Sequence, residues 1–273
     1  MTVALNGDGG DESFAGYERY AAMRIAEAYN RVPNALRKIF VEAPVSLLPT
    51  SELRRSRFRD AKRFLQAANL PRTERYFRWM STFNRDAKRE LYTTDFAASV
   101  SGQNACLFLD RWFAAANGTG TLDATLLTDQ MTYLPNDLLV KVDIASMANS
   151  LEARSPFLDH KLIEFAASLP ENLKMHRFET KSLLKKVAAR LVPKDVVYRR
   201  KMGFGVPIGK WFRGNMKDFV RSVLLSERSL KRGIVKPEML ERLVKEHTNA
   251  ERDHAFQLWT LLMLELWFQR FID

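Results

Sequence analysis

The sequence predicts a predominantly α-helical chain with one or two strands near the N-terminus, and three observations carry that expectation. The short run "VAL" at residues 3–5 is apolar, β-tolerant and followed by a glycine-rich turn, the pattern at the end of a buried strand. Beyond it, apolar residues recur at three- and four-residue spacing in one segment after another, the period of a helix with one face inside. A chain of 273 residues with 46% hydrophobic side chains can also bury a full core, so one large domain, or one and a half, is the natural size.

Taken in order, helices are expected at 14–30, stopped before Pro33, and at 51–68, closed by Pro71. The second has Phe58, Ala61, Leu65 and Ala68 at helical spacing, with a basic face opposite. Further helices are expected at 71–83, 104–116, 125–132, 137–149, 160–168, 180–191, 207–212, 216–225, 237–248 and 253–271. Between them, "ANGTGTLD" at 116–123 lacks the strand before it and the Gly-Lys-Ser/Thr ending of a phosphate loop, and reads as a glycine helix stop with a surface loop. In the closing stretch "AFQLWTLLMLELWFQRF", Gln257, Thr260, Glu265 and Gln269 interrupt the apolar run, whereas a membrane-spanning helix wants about 20 mostly apolar residues. A buried helix is expected there, with no membrane association. No internal repeat or low-complexity linker is visible.

Charge narrows the function classes. The net charge is +11, and residues 51–90 carry twelve Lys and Arg against five Asp and Glu. "RRSRFRDAKRFLQAANLPRTERYFRWM" interleaves cations with aromatics, as single-strand nucleic-acid grooves do. The helical spacing of its apolar residues gives the simpler account, an amphipathic helix with a solvated basic face, so no nucleic-acid partner is expected. Cys106 is the single cysteine and the four histidines are scattered, which leaves no disulfide framework and no thiolate zinc site. With no basic leader followed by a long apolar segment, a cytoplasmic setting is expected.

The stretch "VALNGDGGDESFAGY" at 3–17 concentrates four glycines with Asp8, Asp11 and Glu12 and contains no lysine. A calcium-binding EF-hand register from Asn6 fails, because Asp11 falls where the turn glycine belongs and Tyr17 where the bidentate glutamate belongs. A strand end, a flexible turn and a helix start together bind phosphate through backbone N–H groups. Carboxylates there would repel a bare phosphate by about 1 kcal/mol per pair even in water. A phosphate in this loop therefore calls for a bridging divalent cation, with Mg²⁺ suited to carboxylate oxygens. The other reading is an Asx and glycine turn with Asp11 as N-cap. The residues alone leave both open.

Three motifs in order carry a resemblance. "LNGDGGDESFAGYERY" resembles the S-G-D/E-G-x-D-E-x-F-x-G-Y segment of the asparagine synthetase family. "YLPNDLLVKVDIASMANSLEARSPFLDHKLIEFAASLP" at 133–170 and "TKSLLKKVAARLVPKDVVYRRKMGFGVPIGKW" at 180–211 are similar to its later motifs, and "LWTLLMLELW" is typical of its end. The resemblance covers essentially the whole chain. It implies an α/β fold of the adenine nucleotide alpha hydrolase type, a parallel sheet with helices. It also implies the reaction: ATP adenylates the side-chain carboxylate of aspartate, pyrophosphate leaves, and ammonia derived from glutamine forms the amide.

Residue by residue, the resemblance assigns Asn6 and Gly7 to the nucleotide through their backbone, with Gly9 and Gly10 in the same loop. Asp8 matches the acidic position of intermediate formation and proton removal from ammonia, Asp11 the magnesium and pyrophosphate ligand, and Glu12 a neighbouring contact. Lys201 matches the lysine that stabilises charge on the reacting phosphate and carbonyl, and Lys181 is a further phosphate candidate. Arg199 and Arg200 read as solvated helix-end charges. Asn6 departs from the usual serine, which spares a backbone contact and puts a hydroxyl contact in doubt. In the second motif, Leu138, Val142 and Ala145 share a helix face, and Asp137 and Lys141 are set to pair one turn apart. Pro156 breaks the helix, Asp159 caps the next one, and Glu152, Arg154 and Asp159 are expected as buried structural pairs.

Two family features are not found in these residues. Thr2 stands where the glutaminase nucleophile, a cysteine after the initiator methionine, would be, and no S-G-G-x-D-S pyrophosphatase loop occurs. Residues 1–273 are therefore expected to be the C-terminal portion of the synthetase domain. They would be inactive alone and partnered in cis or trans by the glutaminase and pyrophosphatase-loop segments, and the resemblance also admits a homodimer. The alternatives are a related adenylating, amide-forming enzyme of the β-lactam or lasso-peptide macrolactam synthetase type, and a non-catalytic piece that serves as a binding partner.

Overall fold

The structure, a computed structural model, describes residues 1–39, 43, 57–199 and 205–273. Lys201 and Arg200 lie outside the described residues, as do the side chain of Phe58 and the start of the helix expected at 51–68. Of the described residues, those within 1–48, 61–79 and 105–201 form one compact unit, and those within 49–60, 80–104 and 202–273 a second.

In the first unit, strand β1 (Val3–Leu5) pairs in parallel with β2 (Glu152–Arg154), with Ala4 opposite Ala153. Both described strands are short, and the rest of the unit is helical, as expected. The second strand is not near the N-terminus in sequence. The expected helix at 137–149 is instead an irregular π segment, Leu134–Leu139, with Pro135 at its start, followed by a regular helix, Val140–Met147. Left-handed Ser150 then turns the chain into β2.

The helix expected at 14–30 is two helices. Helix α1 (Gly10–Phe14) ends where Ala15 adopts a left-handed conformation and the Gly16 N–H donates to the Asp11 carbonyl at 2.8 Å. Helix α2 (Glu18–Arg31) starts afresh two residues on. Helix α3 (Thr121–Met131) packs against α2, and Ala15, Tyr20, Leu122, Leu126 and Met175 form the core between them. The loop before α3 is the expected glycine stop, with Gly118 at φ 90°. The α3 N-terminus is capped from outside by the Glu171 carboxylate, which accepts from the Leu122 and Asp123 N–H groups at 2.9 and 3.1 Å.

Helix α4 (Val140–Met147) fully buries no residue: on the face shared by Leu138, Val142 and Ala145 the first two are half-buried and Ala145 is exposed, and Val140, Ile144 and Met147 are exposed as well. Asp159 does cap helix α5 (His160–Ser168), accepting from the Lys161 and Leu162 N–H groups. Two short helices follow, α6 (Glu171–Lys174) and α7 (Ser182–Ala188). The basic stretch behaves as an amphipathic helix: Ala67, Ala68 and Tyr76 are buried, and Phe64 stacks on Trp79 with ring centroids 5.8 Å apart.

The second unit packs α8 (Ile208–Arg213), α9 (Lys217–Leu224), α10 (Pro237–Thr248) and α11 (Ala255–Phe271) around Phe212, Leu224, Leu243 and Leu258. Helix α11 is buried on one face only. Leu258, Leu261 and Leu262 point inward, whereas Phe256, Trp267 and Phe271 are exposed, which narrows the expectation of a buried helix to one face. Among the described residues, no helix is long and apolar enough to cross a membrane.

His247 in this unit is locked in its neutral form. Its Nδ1 accepts from the His254 N–H at 3.1 Å, and its Nε2 lies 3.2 Å from the Gly209 carbonyl, to which it donates. Burial, then the Arg213 charge, hold its pKa below the ordinary histidine value, against the opposing pull of Asp253. A protonated ring could not accept from the His254 N–H. The unfolded chain therefore binds the extra proton more readily, and stability is lost as pH falls through the unfolded value, about 6.5. The urea midpoint is expected to fall between about pH 7.5 and 5.5, at no more than about 1.4 kcal/mol per pH unit. His247→Gln should flatten that slope, and an unchanged slope in the variant would contradict the assignment.

Candidate functional site

The acidic loop leaves β1 with its geometry fixed by local hydrogen bonds. The Asn6 N–H donates to the Arg154 carbonyl at 2.9 Å and extends the ladder one residue past the strand. The Asn6 side-chain amide donates to Asp8 Oδ2 at 2.8 Å, and the Asp8 N–H returns a bond to Asn6 Oδ1 at 3.3 Å. The amide donates from its nitrogen and accepts on its oxygen, so the Asn6 side chain orients the Asp8 carboxylate. Ser155 donates from its hydroxyl to the Asp8 carbonyl at 2.6 Å and ties the loop to the chain after β2.

The glycines of the loop differ in surroundings. Gly9, at φ 83°, and Gly10 are buried, and a Cβ on Gly9 would lie 2.3 Å from Leu158 Cδ2, with the Phe157 ring 3.4 Å from one on Gly10. Gly7 is exposed, with nothing within 4 Å of a Cβ built on it. The N-cap of α1 is Gly9 rather than Asp11, which lies in the first turn.

Asp11 instead pairs with a lysine distant in sequence. Lys181 Nζ sits 2.9 Å from Asp11 Oδ1, both side chains being about a quarter exposed at 28% and 23%. Lys181 is held by a left-handed backbone (φ 54°) and by its N–H, which donates to the Phe14 carbonyl at 3.1 Å. The pair lies across Gly16, where a Cβ would come within 1.7 Å of Asp11 Oδ1 and 2.4 Å of Lys181 Cε. Only glycine leaves room for the pair.

Glu12 turns inward. It is buried, accepts from the Tyr17 hydroxyl at 2.8 Å, and receives the Gln130 amide on its backbone carbonyl at 3.2 Å. Burial is the main cause that raises its pKa above the ordinary carboxylate value, and the Tyr17 hydrogen bond opposes it. Behind Tyr17 stands a cluster that the sequence reading missed. Fully buried Asp129 accepts from Arg19 at 2.7 Å, from the Tyr20 hydroxyl at 2.5 Å and from the Tyr76 hydroxyl. The Arg19 guanidinium also lies over the Tyr17 ring, 3.8 Å from its centroid. The "GYERY" spacing placed three of these groups on one helix start, but nothing local in sequence announced Asp129 or Tyr76.

Not every expected residue joins this group. Glu152 and Arg154 do pair, at 2.7 Å, but their side chains are 51% and 64% exposed, so the pair is a surface one. Asp159 is exposed as well. No Asp137–Lys141 ion pair forms among the described residues. Nor, among the described residues, is there a group of three or more His, Cys, Asp or Glu side chains set to hold a metal ion.

A strand thus turns through an acidic glycine loop into a helix, and a lysine distant in sequence is brought onto one of the loop's carboxylates. The chain belongs to the asparagine synthase family, which it matches over residues 1–269. It is 29% identical to the glutamine-hydrolyzing asparagine synthetase 1 of Bacillus subtilis (strain 168), over 98% of this chain and 40% of that protein. It is 30% identical to a putative glutamine-hydrolyzing asparagine synthetase of Mycobacterium tuberculosis (strain ATCC 25618 / H37Rv), over 100% of this chain and 40% of that one. Amidase chyE of Penicillium rubens is 22% identical over 86% of this chain. The chain spans about 40% of the length of the first two relatives. No solved structure matches it.

Proposed function

We propose that residues 1–273 are the C-terminal portion of the synthetase domain of an asparagine synthetase, with an adenine nucleotide alpha hydrolase-like fold. In this reading the site serves ATP-dependent amidation of aspartate by glutamine-derived ammonia. The observation that carries the reading is the Asp11–Lys181 pair laid across Gly16 beside the acidic loop, since it places a cation and a carboxylate together where pyrophosphate chemistry needs both. The uncovered apolar side chains of β1 and α4, Leu5 and Ile144 among them, support a unit that belongs to a larger domain.

The residues present fit a magnesium nucleotide. The Gly7 N–H makes no hydrogen bond to the described residues, and Gly7 is exposed with room beside it, which suits a phosphate contact. Mg²⁺ takes as few as one protein carboxylate and completes its shell with phosphate and water, so Asp11 suffices without a larger cluster, with the Asp8 carboxylate in the same loop. Bound there, Mg²⁺ would neutralise charge between the phosphates and these carboxylates. Lys181 would share Asp11 with that charge and steady the departing pyrophosphate. The aspartate side-chain carboxylate attacks the α-phosphorus as the bond to pyrophosphate breaks. Ammonia then attacks the acyl carbon, the bond to AMP breaks, and Asp8, oriented by Asn6, takes the surplus proton. Lys201 enters on its motif alone.

The test uses the full-length protein that carries this chain. Asp11→Asn is expected to raise the Mg²⁺ requirement for pyrophosphate release by at least about tenfold, and an unchanged requirement would remove the ligand role. Asp8→Asn should act on the later step and uncouple ATP consumption from asparagine formation, whereas equal loss of both would count against it. The 273 residues by themselves should release no aspartate-dependent pyrophosphate. Robust release would refute their assignment as a portion that needs the remainder.

A further inference from the structure

We propose that the first unit contains a separate pocket for a zwitterionic α-amino acid with a small apolar side chain. A cavity of about 190 Å³ lies between α1, α3 and α6, opening past the exposed residues Thr119 and Ala167. A 150 Å³ apolar cavity accepts a benzene-sized ring, so this one suits a ligand of about six to nine non-hydrogen atoms. Its walls include Leu126 and Leu127, which supply apolar contact.

The polar groups of the cavity are matched to two opposite charges. Lys174 is buried, and its ammonium donates to Asp123 Oδ1 at 2.8 Å and to the Ala167 carbonyl at 3.2 Å. An ammonium has three donors, so one remains. Ser13, only 3% exposed, lines the cavity with its hydroxyl as a further donor. Together they offer two donors to a carboxylate. Asp123 keeps its second oxygen, and Gln130, which donates one amide N–H to the Glu12 carbonyl, keeps its side-chain oxygen. Those two acceptors suit an ammonium group. A simple anion in the cavity would meet the Asp123 charge and a simple cation the Lys174 charge; a zwitterion satisfies both. Because Ser13 adjoins Glu12 on α1, an occupant would touch the helix that carries the acidic loop. The inference concerns binding and does not rest on the proposed reaction.

Calorimetric titration of the chain with L-leucine, with isocaproate (the same skeleton without the ammonium) and with isoamylamine (the same skeleton without the carboxylate) tests it. Leucine should bind saturably, with both single-charge analogues at least about tenfold weaker. Ser13→Ala should weaken leucine by roughly tenfold with an unchanged melting curve, and Thr119→Trp, at the exposed mouth, should abolish binding. No leucine binding up to about 10 mM, equal binding of isocaproate, or full binding by Thr119→Trp would each overturn the proposal.

Discussion

Asp129→Ala is expected to lower the unfolding free energy by about 3–5 kcal/mol, as when one partner of a buried ion pair is removed. Asp129 is fully buried and gathers three donors, Arg19 and the Tyr20 and Tyr76 hydroxyls. Truncation strands all three. Burial pushes both tyrosines well above their ordinary pKa, with Asp129 adding to it, so they stay protonated and keep donating. For Arg19, burial works against the charge, but the oxygens of Tyr76, Asp129 and Tyr20 outweigh it and hold the guanidinium charged. Its half-buried charge is left with π faces and the Tyr76 oxygen for company once the carboxylate is gone. Asp129→Asn keeps an acceptor oxygen of the same size and should recover part of the loss. Urea unfolding measures both, and a loss below about 1 kcal/mol for Asp129→Ala would mean that the cluster is not the cornerstone of this unit.

Lys201→Ala in the full-length protein is expected to reduce asparagine formation by at least about two orders of magnitude, the scale seen when one preorganised group at a reacting centre is removed. Of the two lysines that the motifs supply, Lys181 is already engaged by Asp11 at 2.9 Å. Lys201 closes the run "RRK" just before Gly203 and Gly205, where glycines permit the tight turn that lets a long side chain reach a phosphate. Arginine should rescue poorly, because a planar fork does not replace a compact point charge. A solvated lysine would instead leave both variants near normal. Ammonia replaces glutamine in the assay so that the glutaminase step is bypassed, and thermal melting is followed in parallel. Wild-type rates in Lys201→Ala would sink the assignment.

Much of this was legible along the chain. The strand at Val3–Leu5, the stop at Gly118, the Asp159 cap and the helical character of the basic stretch depend on neighbours within a few residues, where propensity and period suffice, although the expected burial of that strand is corrected by the exposure of Val3 and Leu5. The family was legible for the same reason, since its motifs are contiguous words. The break between α1 and α2 was harder to read because Phe14, Tyr17 and Ala21 continue an apolar face across it. Gly16 was its visible trace, and the reason that only glycine fits there is the Asp11–Lys181 pair, which no window around Gly16 contains.

The sequence by itself determined a mostly helical chain, the asparagine synthase family, and an acidic glycine loop at the end of a strand. Tertiary structure alone decided which groups meet there: that β2 comes from residues 152–154, that Lys181 lies on Asp11, that Glu12 is turned inward onto Tyr17, and that Asp129 anchors Arg19 and two tyrosines. The physical reason is one of range. Hydrogen bonds within a turn and apolar spacing along a helix are set by adjacent residues, whereas parallel strand pairing and the Asp11–Lys181 and Arg19–Asp129 pairs join groups far apart in sequence, and their energies exist only once the intervening chain has packed.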